Sequence, residues 1–206
     1  MDADERRRHW DKAYTEKGEA GVSWFEARPL VSLDLIAEAG GRPTSALIDI
    51  GGGASRLVDA LVEAGWRSLA VLDISRVALD AARKRLGAAA GQVDWIAADI
   101  TRWQPARTYD LWHDRAVFHF LTEAADRAAY VERLAAAVGP GGHAIIASFA
   151  PDGPERCSGL PVMRYDAAAL AATIGPAFAL AGERRSAHTT PWGSSQAFQF
   201  SLLRRR

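Results

Sequence analysis

The chain has 206 residues, 49% of them hydrophobic and 24% charged, with 25 basic side chains against 25 acidic ones. These proportions predict one globular domain and argue against intrinsic disorder. A formal net charge of zero predicts no non-specific binding of nucleic acid or of an anionic membrane. One cysteine, Cys157, excludes an internal disulfide, and the charged first residues and the lack of a long apolar run predict a soluble, cytoplasmic protein.

Residues 1–41 are expected to form a helical segment in front of the main domain. Trp10 and Tyr14 lie four residues apart and therefore share one face of a helix that ends near Gly18. A second helix is predicted to begin with Pro29 at its first position and to end at residues 40–41. Trp24, between the two helices, either closes over a ligand as part of a lid or plugs the sheet.

Residues 42–150 alternate short apolar runs with helical patterns, which predicts a doubly wound parallel sheet covered by helices on both faces. Ser55 and Ser75 are candidate N-caps of two of the helices. The predicted strands are 46–50, 69–72, 93–97, 109–112 and 143–149.

Residues 151–206 change this rhythm and are expected to supply the loop, helix and hairpin on the acceptor side of the domain. A loop rich in Pro and Gly is followed by a predicted helix over 166–174. Strands over 178–183 and 198–203 have no helix between them, so they should pair antiparallel. The fold class is therefore α/β, in a single domain spanning 1–206.

A glycine turn follows the first predicted strand, at the edge of the sheet where doubly wound proteins bind ligands. The turn consists of Gly51, Gly52 and Gly53, and Asp49 stands two residues before the first of them. An acid there opposes a pyrophosphate but favours an ammonium or sulfonium group. A nicotinamide-binding turn would also carry a third glycine where Arg56 stands.

Two more acids end the next two strands. Asp73 is placed to accept hydrogen bonds from ribose hydroxyls, and Asp99 from the exocyclic amine of adenine. Ile74 and Ile100 can sandwich the adenine ring. Taken singly, an acid at a strand end is more often a cap or turn residue. Together with the glycine turn they describe a site for S-adenosyl-L-methionine.

Four segments resemble the successive motifs of the class I S-adenosylmethionine-dependent methyltransferases: Leu47–Gly53, Val71–Ser75, Ala97–Ile100 and Gly139–Gly142. The resemblance implies a Rossmann-like sheet of seven strands, mostly parallel, with an antiparallel C-terminal hairpin strand. It also implies that Asp49 holds the methionine amine, that the glycines let the cofactor approach, and that Asp73 binds ribose. Asp99 and Ile100 would meet adenine. Ser55 stands where many members carry a further Gly.

A narrower resemblance links the chain to the group that includes the lysine methyltransferases of elongation factor 1A and citrate synthase. It is carried by His9–Tyr14 and Ser23–Phe25, and by Asp114–Ala116 after the fourth strand. The group has Gly where this chain has Ala116. This resemblance keeps a protein lysine open as the methyl acceptor.

The acceptor pocket should form from loops after strands four and five, the hairpin loop and the N-terminal segment. Asp114 is expected to help position the methionine end of the cofactor, and it is a weak candidate for catalysis. His119 is a second weak candidate, as a general base with a pKa near neutrality, or else a packed helix residue. Cys157, His188 and Trp192 are candidate acceptor contacts, with incidental or core-capping roles as the alternatives.

The sequence thus predicts methyl transfer from S-adenosyl-L-methionine to an acceptor, a small molecule being favoured over a protein lysine. An in-line displacement at a sulfonium requires that the reacting groups are aligned and that water is excluded. It does not require a nucleophile on the enzyme. The rival interpretations are a nicotinamide-dependent oxidoreductase and a non-catalytic regulator or partner subunit that binds S-adenosylmethionine. No nucleic-acid acceptor, membrane association or metal site is expected, and the sequence makes no prediction of oligomeric state.

Overall fold

A twisted sheet runs through the computed structural model, which describes residues 1–206. The strands are β1 Ala46–Ile50, β2 Ser68–Asp73, β3 Val93–Ala97, β4 Tyr109–Arg115, β5 Val138–Phe149, β6 Arg156–Cys157, β7 Leu160–Pro161, β8 Phe178–Thr189 and β9 Ser195–Arg205. The helices are α1 Ala3–Lys17, α2 Leu30–Glu38, α3 Leu57–Glu63, α4 Arg76–Leu86, α5 Ala124–Ala137 and α6 Ala167–Ile174, with 3₁₀ turns at Gly87–Gln92 and Phe118–Phe120.

Seven strands pair in the order β3-β2-β1-β4-β5-β9-β8, while β6 and β7 form a separate two-stranded hairpin. Strands β1 to β5 pair parallel, and β9 pairs antiparallel with both β5 and β8. The predicted seven-stranded, mostly parallel sheet with an antiparallel C-terminal hairpin is confirmed.

The central strands are buried on both faces, which explains why β1 and β2 are nearly continuous apolar runs. One face packs in a cluster that includes Trp112, Tyr130 and Leu134, and the other in a cluster that includes Leu57, Phe149 and Phe198. The sheet is therefore the rigid layer between two cores, and its carboxyl edge is a fixed platform.

The register of the parallel strands brings their carboxyl ends together. Ile50 at the end of β1 lies beside Leu72 of β2 on one side and Asp114 of β4 on the other. Asp49, one residue earlier, lies beside His113. The residues that follow these strands consequently meet at one edge, as the alternating pattern predicts.

Several element boundaries differ from those expected. Strand β5 begins at Val138 instead of 143, because Val138 pairs with Tyr109 before the register shifts. Pro29 occupies the N-cap position of α2, one residue before the predicted position. Ser55 accepts a hydrogen bond from the Leu57 N–H, but the N-cap position of α3 is the next residue.

Ser75 caps α4 as predicted, by accepting a hydrogen bond from the Ala78 N–H at 3.2 Å. The α6 helix likewise begins after Asp166, whose carboxylate accepts from the Ala169 N–H at 2.7 Å. Measured against the thickness of a membrane, every helix in the structure is too short or too polar to span it.

Candidate ligand-binding site

Two adjoining cavities open at the carboxyl edge of the parallel strands. The larger encloses about 890 Å³ and the smaller about 540 Å³, counted out to their open mouths. Both are lined by Tyr14, Trp24, Ile50, Gly51 and Arg115. They therefore form one continuous site, running from the glycine turn toward β5 and β9.

Asp49 lies at the wall of the smaller cavity and is held from one side only. Its Oδ1 accepts a hydrogen bond from His113 Nδ1 at 2.7 Å, and the other ring nitrogen of His113 lies 2.9 Å from Ser32 Oγ. Its Oδ2 is buried and has no hydrogen-bond partner. A buried carboxylate oxygen left free is costly unless a ligand satisfies it, so Asp49 offers a place for a cationic group.

The glycine turn leaves no room for side chains. A Cβ on Gly52 would lie 2.5 Å from Asp49 Oδ2, and one on Gly53 would lie 2.6 Å from Asp73 Oδ2. The turn is held from behind by Arg85, which donates to the carbonyls of Ala54 and Ser55. The backbone here can consequently approach a ligand that reaches both carboxylates.

Arg85 belongs to an ion cluster beneath the turn. It pairs with Asp59 and Glu19, and Glu19 also pairs with Arg56 at 2.6 Å. Burial alone would lower the pKa of Arg85, because it disfavours the charged guanidinium. The hydrogen bonds and negative charges of Asp59 and Glu19 outweigh burial, so the pKa of Arg85 is raised. Glu19 and Arg56 both line the smaller cavity, so the cluster connects the turn to that cavity's mouth.

Asp73 lies in the wall of the larger cavity and is 5% exposed. Its Oδ1 accepts a hydrogen bond from the Ser75 N–H at 2.7 Å. Burial, with added repulsion from Asp49 and Asp11, raises the pKa of Asp73 to about 7. Ligand hydroxyls that donate to this carboxylate would stabilise its ionised form.

Asp99 is hydrogen-bonded through Oδ1, while its buried Oδ2 has an ion-pair partner but no hydrogen-bond partner. Its Oδ1 accepts from the backbone and the hydroxyl of Thr101, and its Oδ2 lies 3.1 Å from Arg6 Nη2. Arg6 also pairs with Asp126 at 2.8 Å. A contact from Asp99 to a ligand would therefore share this carboxylate with α1. Two neighbouring apolar side chains, Ile74 and Ile100, line the larger cavity as expected.

Helix α1 covers the site through aromatic contacts. Trp10 packs edge-on against Phe120 and Trp24, at centroid distances of 4.9 and 5.6 Å. Trp24 donates its indole N–H to the Tyr14 hydroxyl at 3.2 Å. Trp24 thus lies over the junction of the two cavities, which fits a lid position better than a plug beneath the sheet.

Asp114 does not face either cavity, and the expectation that it positions a cofactor is corrected. It is fully buried and accepts hydrogen bonds from the Tyr130 hydroxyl at 2.6 Å and from the N–H groups of Val117 and Phe118. Burial raises its pKa to about 6. Its three donors turn the side chain into the core, where it fixes the loop that follows β4.

The expected near-neutral pKa of His119 is wrong. The imidazole is fully buried between Phe120 and Phe149, and neither ring nitrogen has a hydrogen-bond partner. Burial, helped by the nearby Arg115 charge, lowers its pKa to about 3. His119 lines neither cavity, so it is neither a proton acceptor near pH 7 nor placed to touch a ligand.

Of the three other candidate acceptor contacts, one lines a cavity and two do not. Cys157 lines the larger cavity, and burial raises its thiol pKa to about 11. His188 lines neither cavity; its Nε2–H donates to the Ser23 carbonyl at 2.6 Å and its Nδ1 lies 3.5 Å from Glu26. Trp192 is 59% exposed on the hairpin loop, away from both cavities.

Arg115 is a cavity residue that the sequence reasoning did not single out. It lines both cavities, and its guanidinium lies 4.8 Å from the centre of the Phe198 ring. It donates to the Trp24 carbonyl at 2.9 Å and pairs with Glu26 at 3.2 Å. Burial lowers its pKa. Arg115 is the last residue of β4, and its position three residues after the predicted strand 109–112 was the signal available in the sequence.

Four aromatic side chains form much of the larger cavity's far wall, and none was proposed as a ligand contact: Trp10, Phe120, Phe149 and Phe198. They come from four separate segments of the chain. No group of three or more His, Cys, Asp or Glu side chains is placed to hold a metal ion.

The chain is similar in sequence to known methyltransferases. A family model described as a methyltransferase domain matches residues 48–144. Trans-aconitate 2-methyltransferase of Rhizobium leguminosarum bv. trifolii strain WSM2304 is 28% identical over 186 residues, which are 90% of this chain and 60% of the relative. The chain therefore spans about three fifths of the length of that curated relative.

Solved structures show the same fold at lower identity. Magnesium protoporphyrin IX methyltransferase from Synechocystis PCC 6803, with bound S-adenosylmethionine, aligns with a TM-score of 0.73 and 17% identity over 100% of this chain and 98% of its own. The Burkholderia thailandensis 1,6-didemethyltoxoflavin-N1-methyltransferase aligns with a TM-score of 0.67 and 19% identity, covering 98% and 84%. Residues 48–144 are thus similar to a methyltransferase domain, and the chain has the fold of these solved methyltransferases.

Proposed function

We propose that this protein is an enzyme that transfers a methyl group from S-adenosyl-L-methionine to a small-molecule acceptor. The observation that carries the proposal is the free, buried Oδ2 of Asp49 beside a glycine turn that excludes side chains. A cationic amino-acid group would satisfy that oxygen. A pyrophosphate would meet its negative charge instead, which disfavours a nicotinamide cofactor.

The residues present fit the cofactor along the whole edge. Asp49 would hold the methionine ammonium, with the backbone of Gly51, Gly52 and Gly53 close to the cofactor. Asp73 would accept hydrogen bonds from the ribose hydroxyls. Adenine would lie between Ile74 and Ile100, with Asp99 near its exocyclic amine. When bound, S-adenosylmethionine supplies a methyl group on a sulfonium, which an acceptor atom can displace in line.

The protein's contribution to the reaction would be positioning and exclusion of water. Trp24 and Trp10 cover the site, and Phe149 and Phe198 form an apolar wall opposite the adenosine end. Reaction of two groups held in contact inside a dry cavity gains much of its rate from orientation. This arrangement needs no enzyme nucleophile.

No side chain at the acceptor end is suited to remove a proton near pH 7. The Cys157 thiol has a pKa of about 11, and His119, with a pKa of about 3, lies outside the cavity. General-base catalysis works best when the pKa of the base lies near the working pH. We therefore expect an acceptor whose attacking atom already carries a free lone pair when it binds.

A small molecule is favoured over a protein lysine because α1 closes the cavity from above. Trp10 and Trp24 lie over the site, and Arg6 anchors the helix to Asp99 and Asp126. A protein lysine would have to displace these contacts to reach the cavity. The names of the curated relative and of both structural neighbours also refer to small-molecule acceptors.

Replacing Asp73 with Ala tests the cofactor assignment. The change removes charge-assisted hydrogen bonds to ribose worth roughly 1.5–3 kcal/mol, so the affinity for S-adenosylhomocysteine should fall about 10- to 100-fold. Calorimetric titration measures the affinity, and circular dichroism checks the fold. Asp80→Ala, which removes an exposed acid from α4, is the matched control. Unchanged affinity in the folded Asp73→Ala variant would contradict the ribose assignment.

A further inference from the structure

We infer that the acceptor is a planar, largely apolar molecule with a single negatively charged group, and that Arg115 anchors this group. The inference rests on the proposed function and specifies its substrate class. Three observations support it: the unpaired Nε–H of Arg115, the charges at the acceptor end of the larger cavity, and the shape of the walls of that cavity.

Arg115 is a buried cation with hydrogen-bonding capacity to spare. Its side chain is 11% exposed, and a guanidinium has five N–H donors. Trp24 and Glu26 engage its two terminal nitrogens, while Nε is buried without a partner. An unpaired buried donor is costly. An oxygen of a bound acceptor would satisfy it.

Glu26, the carboxylate that pairs with Arg115, lies on the side of the smaller cavity. Glu26 lines the smaller cavity and does not line the larger one. Burial opposes ionisation of Glu26, but the hydrogen bond from His188 and the charge of Arg115 lower its pKa. In the larger cavity, therefore, Arg115 presents a cation without a facing carboxylate at the acceptor end.

The larger cavity can neutralise only one negative charge on a bound acceptor. Its two carboxylates, Asp73 and Asp99, lie at the adenosine end, and its other cation, Arg6, is held between Asp99 and Asp126. A second or third carboxylate on the acceptor would lie against aromatic rings without a partner. Burying an unpaired charge in this way is strongly unfavourable.

The walls favour a flat acceptor. Phe149 and Phe198 pack edge to face, with centroids 4.9 Å apart, and Trp10 and Phe120 meet at the same distance on the side covered by α1. Aromatic surfaces arranged in this way provide stacking and edge contacts for a planar ring. Among the side chains that line this cavity, Gln196 has the one neutral polar atom that is buried without a partner: its Oε1 can accept a hydrogen bond from the acceptor.

The test compares matched probes on the full chain saturated with S-adenosylhomocysteine. The probes are 2-naphthoate, its neutral amide 2-naphthamide, and trans-aconitate, and calorimetry measures their dissociation constants. We expect 2-naphthoate to bind about 10- to 100-fold more tightly than 2-naphthamide, as for a charge-assisted contact. We also expect it to bind more tightly than trans-aconitate.

Two variants link this preference to the named side chains. Arg115→Gln should abolish the preference for 2-naphthoate over 2-naphthamide. Gln196→Glu, which adds a negative charge to the same cavity, should weaken 2-naphthoate at least about tenfold more than it weakens 2-naphthamide. Gln104→Glu makes the same charge change on the exposed surface and should change neither. Affinity for S-adenosylhomocysteine reports that each variant is folded.

Equal affinity for acid and amide, tighter binding of trans-aconitate, or no binding of either naphthyl probe at millimolar concentration would overturn the inference. Because Gln196→Glu and the comparison of probes on the unaltered protein do not need Arg115→Gln to fold, the inference stays falsifiable if that variant is unstable. Failure to bind S-adenosylhomocysteine at all would instead overturn the proposed function.

Discussion

Four carboxylates lie at or beside the ends of adjacent parallel strands, and their hydrogen bonds separate them into two kinds. Asp49 has a free oxygen at its cavity, and Asp73 accepts from the Ser75 N–H on one oxygen. Asp99 is bonded to Thr101 and Arg6, and Asp114 is turned into the core. Ligand binding is therefore expected to depend on Asp49 and Asp73, with Asp99 shared between α1 and the ligand, and local structure on Asp114.

Replacing Asp114 with Ala tests this division. The change leaves the Tyr130 hydroxyl and the N–H groups of Val117 and Phe118 buried without an acceptor, so the free energy of unfolding should fall by on the order of 3 kcal/mol. Tyr130→Phe removes one of these bonds and also leaves the Trp112 indole N–H without its acceptor, so it should cost about 2 kcal/mol. Urea denaturation measures both. A loss for Asp114→Ala no larger than that for Tyr130→Phe would show that the carboxylate does not hold the loop.

Among the helices, α1 determines access to the site. Its Arg6 reaches across to Asp99 near the end of β3 and to Asp126 in α5, while Asp11 accepts a hydrogen bond from the Ser75 hydroxyl at 2.7 Å. The helix ends at Gly18, whose φ of +65° suits glycine. Entry and exit of a ligand the size of the proposed cofactor would require these contacts to open.

Replacing Arg6 with Ala should speed release of the cofactor. Losing the two partly buried ion pairs removes roughly 1–2 kcal/mol from the closed state, so the dissociation rate constant of S-adenosylhomocysteine should rise about 5- to 30-fold. Stopped-flow tryptophan fluorescence follows the release. Arg7→Ala, whose side chain pairs with the exposed Asp4, is the control. An unchanged rate constant would mean that α1 does not gate the site.

The elements show where sequence reasoning succeeds and where it fails. Strand ends and caps follow from local patterns, which is why Asp49, Asp73 and the Ser75 cap were predicted. Asp114 follows the same local pattern as Asp49, yet its side chain points away from the cavity. The direction depends on Tyr130, a residue of α5 that meets β4 only in the folded chain.

The acceptor end was less predictable for the same reason. Trp10, Phe120, Phe149 and Phe198 converge from four segments, and no spacing along the chain brings them together. The sequence left His119 open between a general base and a packed residue, because complete burial sets its pKa and a 3₁₀ turn of three residues gives little sign of burial. The sequence could therefore indicate the cofactor end, while the acceptor end depended on tertiary packing.

At the scale of the whole molecule, buried ionisable groups couple stability to pH. Burial raises the pKa of Asp73 to about 7, well above its value of 3.8 in an unfolded chain. The folded protein then holds this proton more tightly, so the contribution of Asp73 to stability is present below about pH 4 and is lost as pH rises toward 7. His119 acts in the opposite direction, because its lowered pKa destabilises the fold as pH falls from 6.5 toward 3.

The contribution of Asp73 can be isolated with Asp73→Asn, which does not ionise. Without cofactor, the variant should gain stability relative to the unaltered protein as pH rises from about 5 to about 8, by on the order of 2 kcal/mol. The comparison cancels the His119 contribution, which both proteins share. Denaturant titrations at the two pH values measure it. A stability difference that does not change with pH would show that Asp73 is not held at a raised pKa.

The central claim is that the glycine turn and its acids bind S-adenosyl-L-methionine, and calorimetric titration of the purified chain tests it most directly. Separate titrations with S-adenosylmethionine and with NADH should show binding at micromolar concentration for the first and none for the second. The free oxygen of Asp49 is the physical reason for this choice. Binding of NADH alone, or of neither ligand, would contradict the account.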